Sequence, residues 1–222
     1  MKRLNVLTIY MIIAFIMPVF NVSAKEFKGV ITYKVSVTGS TVTDDMKAMM
    51  PKTMTLTIKG NKARSEMTMG MGTTVSITDG ETKTTTTLLD MMGQKIAFTT
   101  STDEIMKEIK DSPSYTVEKT SETKDILGYK CTKAIIRSDD GAEINVFYTS
   151  ELGSGAINFD NAQFKDIDGV MLEFEMPDEG MSMKFTAVDI QHKNVSDSEF
   201  EIPEGYQVKS KDEFKSMFGG GN

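Results

Sequence analysis

The 222-residue chain holds one cysteine, one histidine and no tryptophan. Cys131 has no second cysteine with which to close an internal disulfide, and with His192 as the sole imidazole, metal centres built on Cys and His are excluded as well. Nucleophilic catalysis is confined to a constellation around His192, with Asp189 three residues earlier as its orienting acid. Gly153-Ser154-Gly155 is not a G-x-S-x-G elbow and opens no helix, so a hydrolase is not expected and no enzyme activity is read. Positive charge is in deficit too: 25 Lys and Arg face 32 Asp and Glu, a formal charge of −7. This balance argues against nucleic acid and anionic membrane surfaces as partners, because both attract basic patches. Leucine is scarce. Six leucines follow residue 24 against fifteen methionines, the reverse of ordinary usage.

What is present begins with an address. Lys2 and Arg3 precede an apolar stretch from Val6 to Met17, Pro18 ends it, and Val22-Ser23-Ala24 supplies small residues for signal peptidase. Residues 1–24 are read as a signal peptide cleaved before Lys25, since the apolar run is shorter than the roughly 20 residues of a bilayer span. The mature protein is expected to be periplasmic or secreted, with no stable membrane anchor after cleavage, and more acidic by the two cations lost. Residues 25–222 form one domain, a length that fits a single core.

Phe27, Ile31, Tyr33, Val35 and Val37 alternate with polar residues, the period of a strand with one face buried. The same period returns at Met54–Ile58, 62–69, 75–77, 82–88, 96–98, 116–123, 129–138, 142–149, 170–176 and 182–190. Gly60-Asn61, Asp79-Gly80, Asp139-Asp140-Gly141 and Pro177-Asp178-Glu179-Gly180 supply turns, and strands joined so briefly are antiparallel. Cys131, spaced with Tyr129 and Ile135, reads as a small buried hydrophobe. Three short helices interrupt the meander. Asp44 or Asp45 caps one through Met50, Ser101 and Glu104 form a capping box for 103–110, and Ser210 with Glu213 repeats the box for a C-terminal helix over 210–218, before a frayed tail at 219–222. The fold class is mainly β (α+β): a single antiparallel curved sheet or unclosed barrel of about ten or eleven strands, with short helices over its concave face.

Gly70-Met71-Gly72 lacks the third glycine of a dinucleotide fingerprint and opens no helix, so it reads as a turn or bulge. Asp166, Asp168, Gly169 and Glu175 match four positions of a calcium loop, but Phe164 holds the first ligand position and 170–176 alternates as a strand. Methionine is the unusual chemistry. Met46, Met49 and Met50 share one helix face; Met67, Met69 and Met71 project from one strand face; Met181 and Met183 repeat that spacing. Three readings stand: an ordinary core with flexible fillers, an adaptable apolar pocket lined by these eight residues, or a Cu(I) site on Met67, Met69 and Met71 helped by Met181 and Met183. The leading expectation is a pocket for a lipid, acyl chain or other apolar ligand; a structural or partner-binding envelope protein is the remaining alternative. No cofactor is implied.

Thr123-Lys124-Asp125-Ile126-Leu127-Gly128-Tyr129-Lys130-Cys131-Thr132-Lys133 resembles the T-K-x-I-x-G-Y-x-C-x-K segment of an exported bacterial family, the domain of unknown function numbered 4412. Phe147-Tyr148-Thr149 and the later run from Phe164 to Phe174 resemble a stretch of the related GLPGLI family, with Ile167-Asp168-Gly169 in place of Leu-Pro-Gly. Phe200-Glu201-Ile202-Pro203-Glu204-Gly205-Tyr206 is similar to the closing F-x-I-P-x-G-Y of both. The resemblance implies a fold like that of the lipoprotein carriers LolA and LolB, an unclosed antiparallel barrel whose concave face accepts acyl chains. It implies no catalytic residues.

Overall fold

A computed structural model describes residues 27–139, 141–178 and 180–218. The expected signal peptide and the tail at 219–222 lie outside the described residues, as do Asp140 and Glu179 in two of the expected turns. The strands are β1 (Lys28–Gly39), β2 (Thr53–Lys59), β3 (Lys62–Met69), β4 (Gly72–Asp79), β5 (Thr84–Met91), β6 (Gln94–Thr100), β7 (Tyr115–Ile126), β8 (Tyr129–Ser138), β9 (Glu143–Thr149), β10 (Val170–Asp178), β11 (Met181–His192) and β12 (Gln207–Val208). They form one curved, unclosed sheet in the order β12-β6-β5-β4-β3-β2-β1-β11-β10-β9-β8-β7. Every pairing among them is antiparallel except β12 with β6, a two-residue parallel addition that the alternation pattern did not signal. It is the twelfth strand, one beyond the expected count.

Two meanders of sequence neighbours, β1 to β6 and β7 to β11, meet where β1 pairs with β11, from Gly29 opposite His192 to Gly39 opposite Met181. Ile31, Tyr33 and Val35 on β1, Met54 and Ile58 on β2, Ala134 and Ile136 on β8, Val146 on β9, Leu172 and Phe174 on β10 and Phe185 on β11 are buried together on the inner face. Tyr33 and Phe185 are fully enclosed, each worth about 1.5–3 kcal/mol of apolar burial. A second, smaller cluster (Val75, Ile77, Leu88, Ala97) lies on the outer face of β4–β6 and is covered by Phe200 and Tyr206 of the C-terminal segment.

Helix α1 (Asp44–Met49) is capped by Thr43, whose Oγ1 accepts from the Met46 amide at 3.2 Å; this corrects the expected Asp44 or Asp45 cap. Those acids occupy the first turn, where they favour the helix dipole. Pro51 holds Met50 extended and ends the helix. Helix α2 (Thr102–Asp111) carries both arms of the Ser101–Glu104 capping box, and Ser210 with Glu213 makes the same pair of bonds ahead of α3 (Lys211–Phe218). On α3, Phe214 stacks on Phe98 of β6 at 4.6 Å, and Lys211 reaches Glu108 of α2.

The cover over the centre of the concave face comes from an element that the sequence reading did not assign. There the β9–β10 connection, with a short 3-10 helix over Gly155–Asn158 that the periodicity did not signal, fills the sheet: Leu152, Ile157, Phe164 and Ile167 are buried in the inner core, while the six-residue α1 buries none of its side chains. Buried Asn158 shapes the connection by donating from Nδ2 to the carbonyls of Ile167 (2.9 Å) and Gly169 (3.0 Å), which satisfies backbone groups that no ladder reaches.

Candidate functional site

Alternation along β3 and β4 places Ala63, Ser65, Met67 and Met69 on the same face as Gly72, Thr74, Ser76 and Thr78, because Met67 pairs with Thr74 and Met69 with Gly72. Two cavities follow one another along this face. The first, of about 350 Å³, lies between the sheet and the β9–β10 connection. Its apolar walls are Met54 and Leu56 of β2, Met171, Phe174 and Met176 of β10, Phe185 of β11, and Ile157 and Phe164 of the connection. Phe174 stacks on Phe185 at 4.7 Å and meets Phe164 edge-on at 5.6 Å, a rigid aromatic wall beside flexible thioethers.

The other end of this cavity is polar. Ser65, Ser76, Asn161 and Asp160 line it, and Asp160 Oδ2 accepts from the hydroxyls of Thr85 (2.7 Å) and Thr78 (3.2 Å). Tyr33 stands in the wall with its hydroxyl donating to the Met171 carbonyl at 2.7 Å; burial, and then the nearby Cys131, hold its phenol protonated well above the ordinary tyrosine range.

The second cavity, of about 250 Å³, lies under α1 at the turn between β3 and β4. Met46, Met49, Met50, Met69, Met71 and Met91 line it, with Gly70, Gly72 and Thr74 as the remaining residues. Five of the eight methionines singled out from the sequence therefore meet here. Met67 does not join them: it lines the first cavity. Met183 lies beside Met176 on the inner face and packs against the core, and Met181 stands opposite Gly39; neither lines either cavity. The triad Met67, Met69 and Met71 is thus divided between two sites.

Met91, Met54, Met171 and Met176 were missed. Counting registers outward from Gly72 to Met91 brings the first of them into the cluster; the others sit on strands at apolar positions. Asp160 and Phe164 belong to a connection without periodicity, and its run of Ile157, Phe159, Phe164 and Ile167 was the signal that it is buried.

Cys131, His192 and Glu175 line neither cavity. Cys131 is buried, and its thiol is pushed up to about 11 by burial and then by the charges of Asp125 and Glu151. His192 is exposed at the end of β11, its Nε2 2.7 Å from the Tyr129 hydroxyl and its ring edge-on to Phe27. Glu175 of the calcium-like spacing is on strand β10, and among the described residues no three His, Cys, Asp or Glu side chains converge.

Among solved structures, PNGF-II is similar with a TM-score of 0.54 and 16% identity over 86% of this chain and 32% of that one. This chain thus spans about a third of the length of PNGF-II, and the likeness is one of fold. An uncharacterized conserved protein from Thermus thermophilus (TM-score 0.40, 11% identity, 83% of this chain and 88% of that one) and LprF from Mycobacterium bovis (0.30, 9%, 77% and 88%) also match. No curated protein sequence matches the chain. The family model described as a domain of unknown function, DUF4412, matches residues 27–169, from the first buried residue of the inner core to the close of the β9–β10 connection, and the chain belongs to that family.

Proposed function

We propose that the protein is an exported, non-enzymatic module that binds an apolar ligand, a lipid or other acyl chain, between the inner face of the sheet and the β9–β10 connection. The observation that carries this reading is the 350 Å³ cavity, which has apolar walls of Met and Phe and one hydrogen-bonding end. Its size falls in the range of about 300–1,000 Å³ typical of ligand pockets, and a few convergent polar groups in an apolar cleft are what orient an amphiphile. Unbranched thioethers repack around chains of different length, and each CH₂ buried adds about 0.8 kcal/mol. The polar end is suited to a headgroup that donates hydrogen bonds, because Asp160 presents a carboxylate there. Lys2, Arg3 and the apolar stretch after them support delivery to the periplasm or beyond.

Native mass spectrometry of protein purified gently from its own cell envelope tests the proposal, with an adduct of lipid mass as the expected result. A clean apoprotein mass together with no uptake of fluorescent fatty acids would overturn it. Ser76→Phe, which projects a ring into the cavity from the middle of β4, is expected to abolish fatty-acid uptake, with the thermal midpoint as the check on folding. Asn158→Ala, by freeing the connection, is expected to weaken uptake and to cost about 1–3 kcal/mol of stability in urea.

A further inference from the structure

The cavity under α1 differs in kind from the one described above. Its only apolar side chains are six methionines: no Leu, Ile, Val, Phe or Tyr lines it. The first cavity mixes Met with Phe, Leu and Ile, as a site selected for apolarity does. Nor is the second an ordinary core, since Met49, Met69 and Met71 are 54%, 40% and 64% exposed. A lining that excludes hydrocarbon side chains but keeps sulfur, and leaves it open to solvent, points to the sulfur.

Two glycines make the convergence possible. Met69 and Met91 lie on the same face, two strands apart, with Gly72 between them in register. A Cβ at Gly72 would come within 2.7 Å of Met91 Cγ and closer still to the Asp90 carbonyl, so the Met91 side chain lies directly over the glycine. At Gly70 a Cβ would touch the Cα, Cβ and Cγ of Met49 at 3.5–3.7 Å, and the Gly70 amide donates to the Met49 carbonyl at 3.1 Å, pinning α1 onto the turn. Helix spacing of three places Met46 on the side of Met49, Met50 follows at the helix end and lines the same cavity, and Met71 sits between the two glycines.

We propose that Met46, Met49, Met50, Met69, Met71 and Met91 form a site for a soft monovalent metal ion, Cu(I). Thioethers are neutral, soft donors that select Cu(I) over hard divalent ions, and no Lys or Arg lines the site to repel a cation. Two to four of the six sulfurs satisfy such an ion, and the flexible side chains let it choose among them. The site is independent of the acyl-chain cavity, so either can fail alone.

The test uses protein labelled with ¹³C at the methionine methyls and titrated with Ag(I), the redox-inert stand-in for Cu(I). One equivalent is expected to shift the methyls of the six named residues and leave those of Met54, Met67, Met171, Met176 and Met183 in place. Anaerobic competition against bicinchoninate then measures Cu(I) affinity. The Met69→Leu, Met91→Leu double variant, which keeps side-chain volume, is expected to lose about tenfold or more. Shifts spread evenly over all methionines, no shift with Ag(I), or unchanged affinity in a double variant whose methyl spectrum shows it folded would each overturn the assignment. Shifts of the six methyls with lauric acid but not with Ag(I) would overturn it in favour of an apolar ligand.

Discussion

Tyr33 shows how a single side chain joins fold to site. Its ring is fully buried in the inner core, it lines the first cavity, and its hydroxyl donates to the Met171 carbonyl on β10, two strands away in the sheet and 138 residues on in sequence. Tyr33→Phe removes that bond, and a loss of about 0.5–1.5 kcal/mol is expected in urea unfolding. Cys131 is the opposite case, a reactive residue type made inert. With its thiol pushed up to about 11 and its sulfur buried, almost none is thiolate at pH 8, and an aromatic disulfide reagent is expected to label it only after denaturant unfolds the chain. Rapid labelling of the native protein would contradict the burial described. The sequence pointed to this burial by a different spacing: Ala134 and Ile136, not Ile135, share the inner core with Cys131, where the β7–β8 pairing shifts register between Lys119 and Thr123.

At the level of elements, the hairpins carry a local cost. Met92-Gly93 and Leu127-Gly128 are two-residue loops with φ of +53° and +81°, and +54° and +85°, the primed turn that matches strand twist but asks a bulky residue to adopt a left-handed backbone. Leu127 is half exposed there, so Leu127→Asn is expected to raise stability by about 0.5–1 kcal/mol, seen as a higher thermal midpoint. The hairpins were legible because their strands alternate and their turns hold glycine. So were the capping boxes at Ser101 and Ser210, whose partners stand three residues on. The β9–β10 connection was not, since Ile157, Phe164 and Ile167 follow neither period and their burial depends on Asn158 folding the segment back on itself. The split of Met67 from Met69 and Met71 was hidden for a related reason. Strand parity places all three on one side, but only the position of α1 and of the connection decides which cavity each side chain enters.

Across the whole molecule, Glu173 ties together parts that are distant in sequence. Its carboxylate meets Lys124 of β7 at 2.7 Å and Lys184 of β11 at 3.3 Å. Burial pushes this carboxyl up, but the hydrogen bonds and charges of the two lysines outweigh it and hold Glu173 below its ordinary value of 4.5. A group whose folded value is depressed contributes stability that is complete above pH 4.5 and lost as the pH falls through the folded value. Glu173→Gln is therefore expected to flatten the acid side of the stability–pH curve, measured by urea unfolding from pH 6 downward. The sheet's order was only partly readable: neighbours in sequence pair by their turns, whereas the meeting of β1 with β11 rests on the match of two long alternating strands with no local signal between them. That seam also governs time. Each meander can form from near contacts, but β1 keeps one edge unpaired until residues 181–192 exist and return to it. A chain emerging N-terminus first would wait with that edge open for most of its length, and one cut at residue 169, where the family match ends, would leave the edges of β1 and β9 free to add strands from other copies.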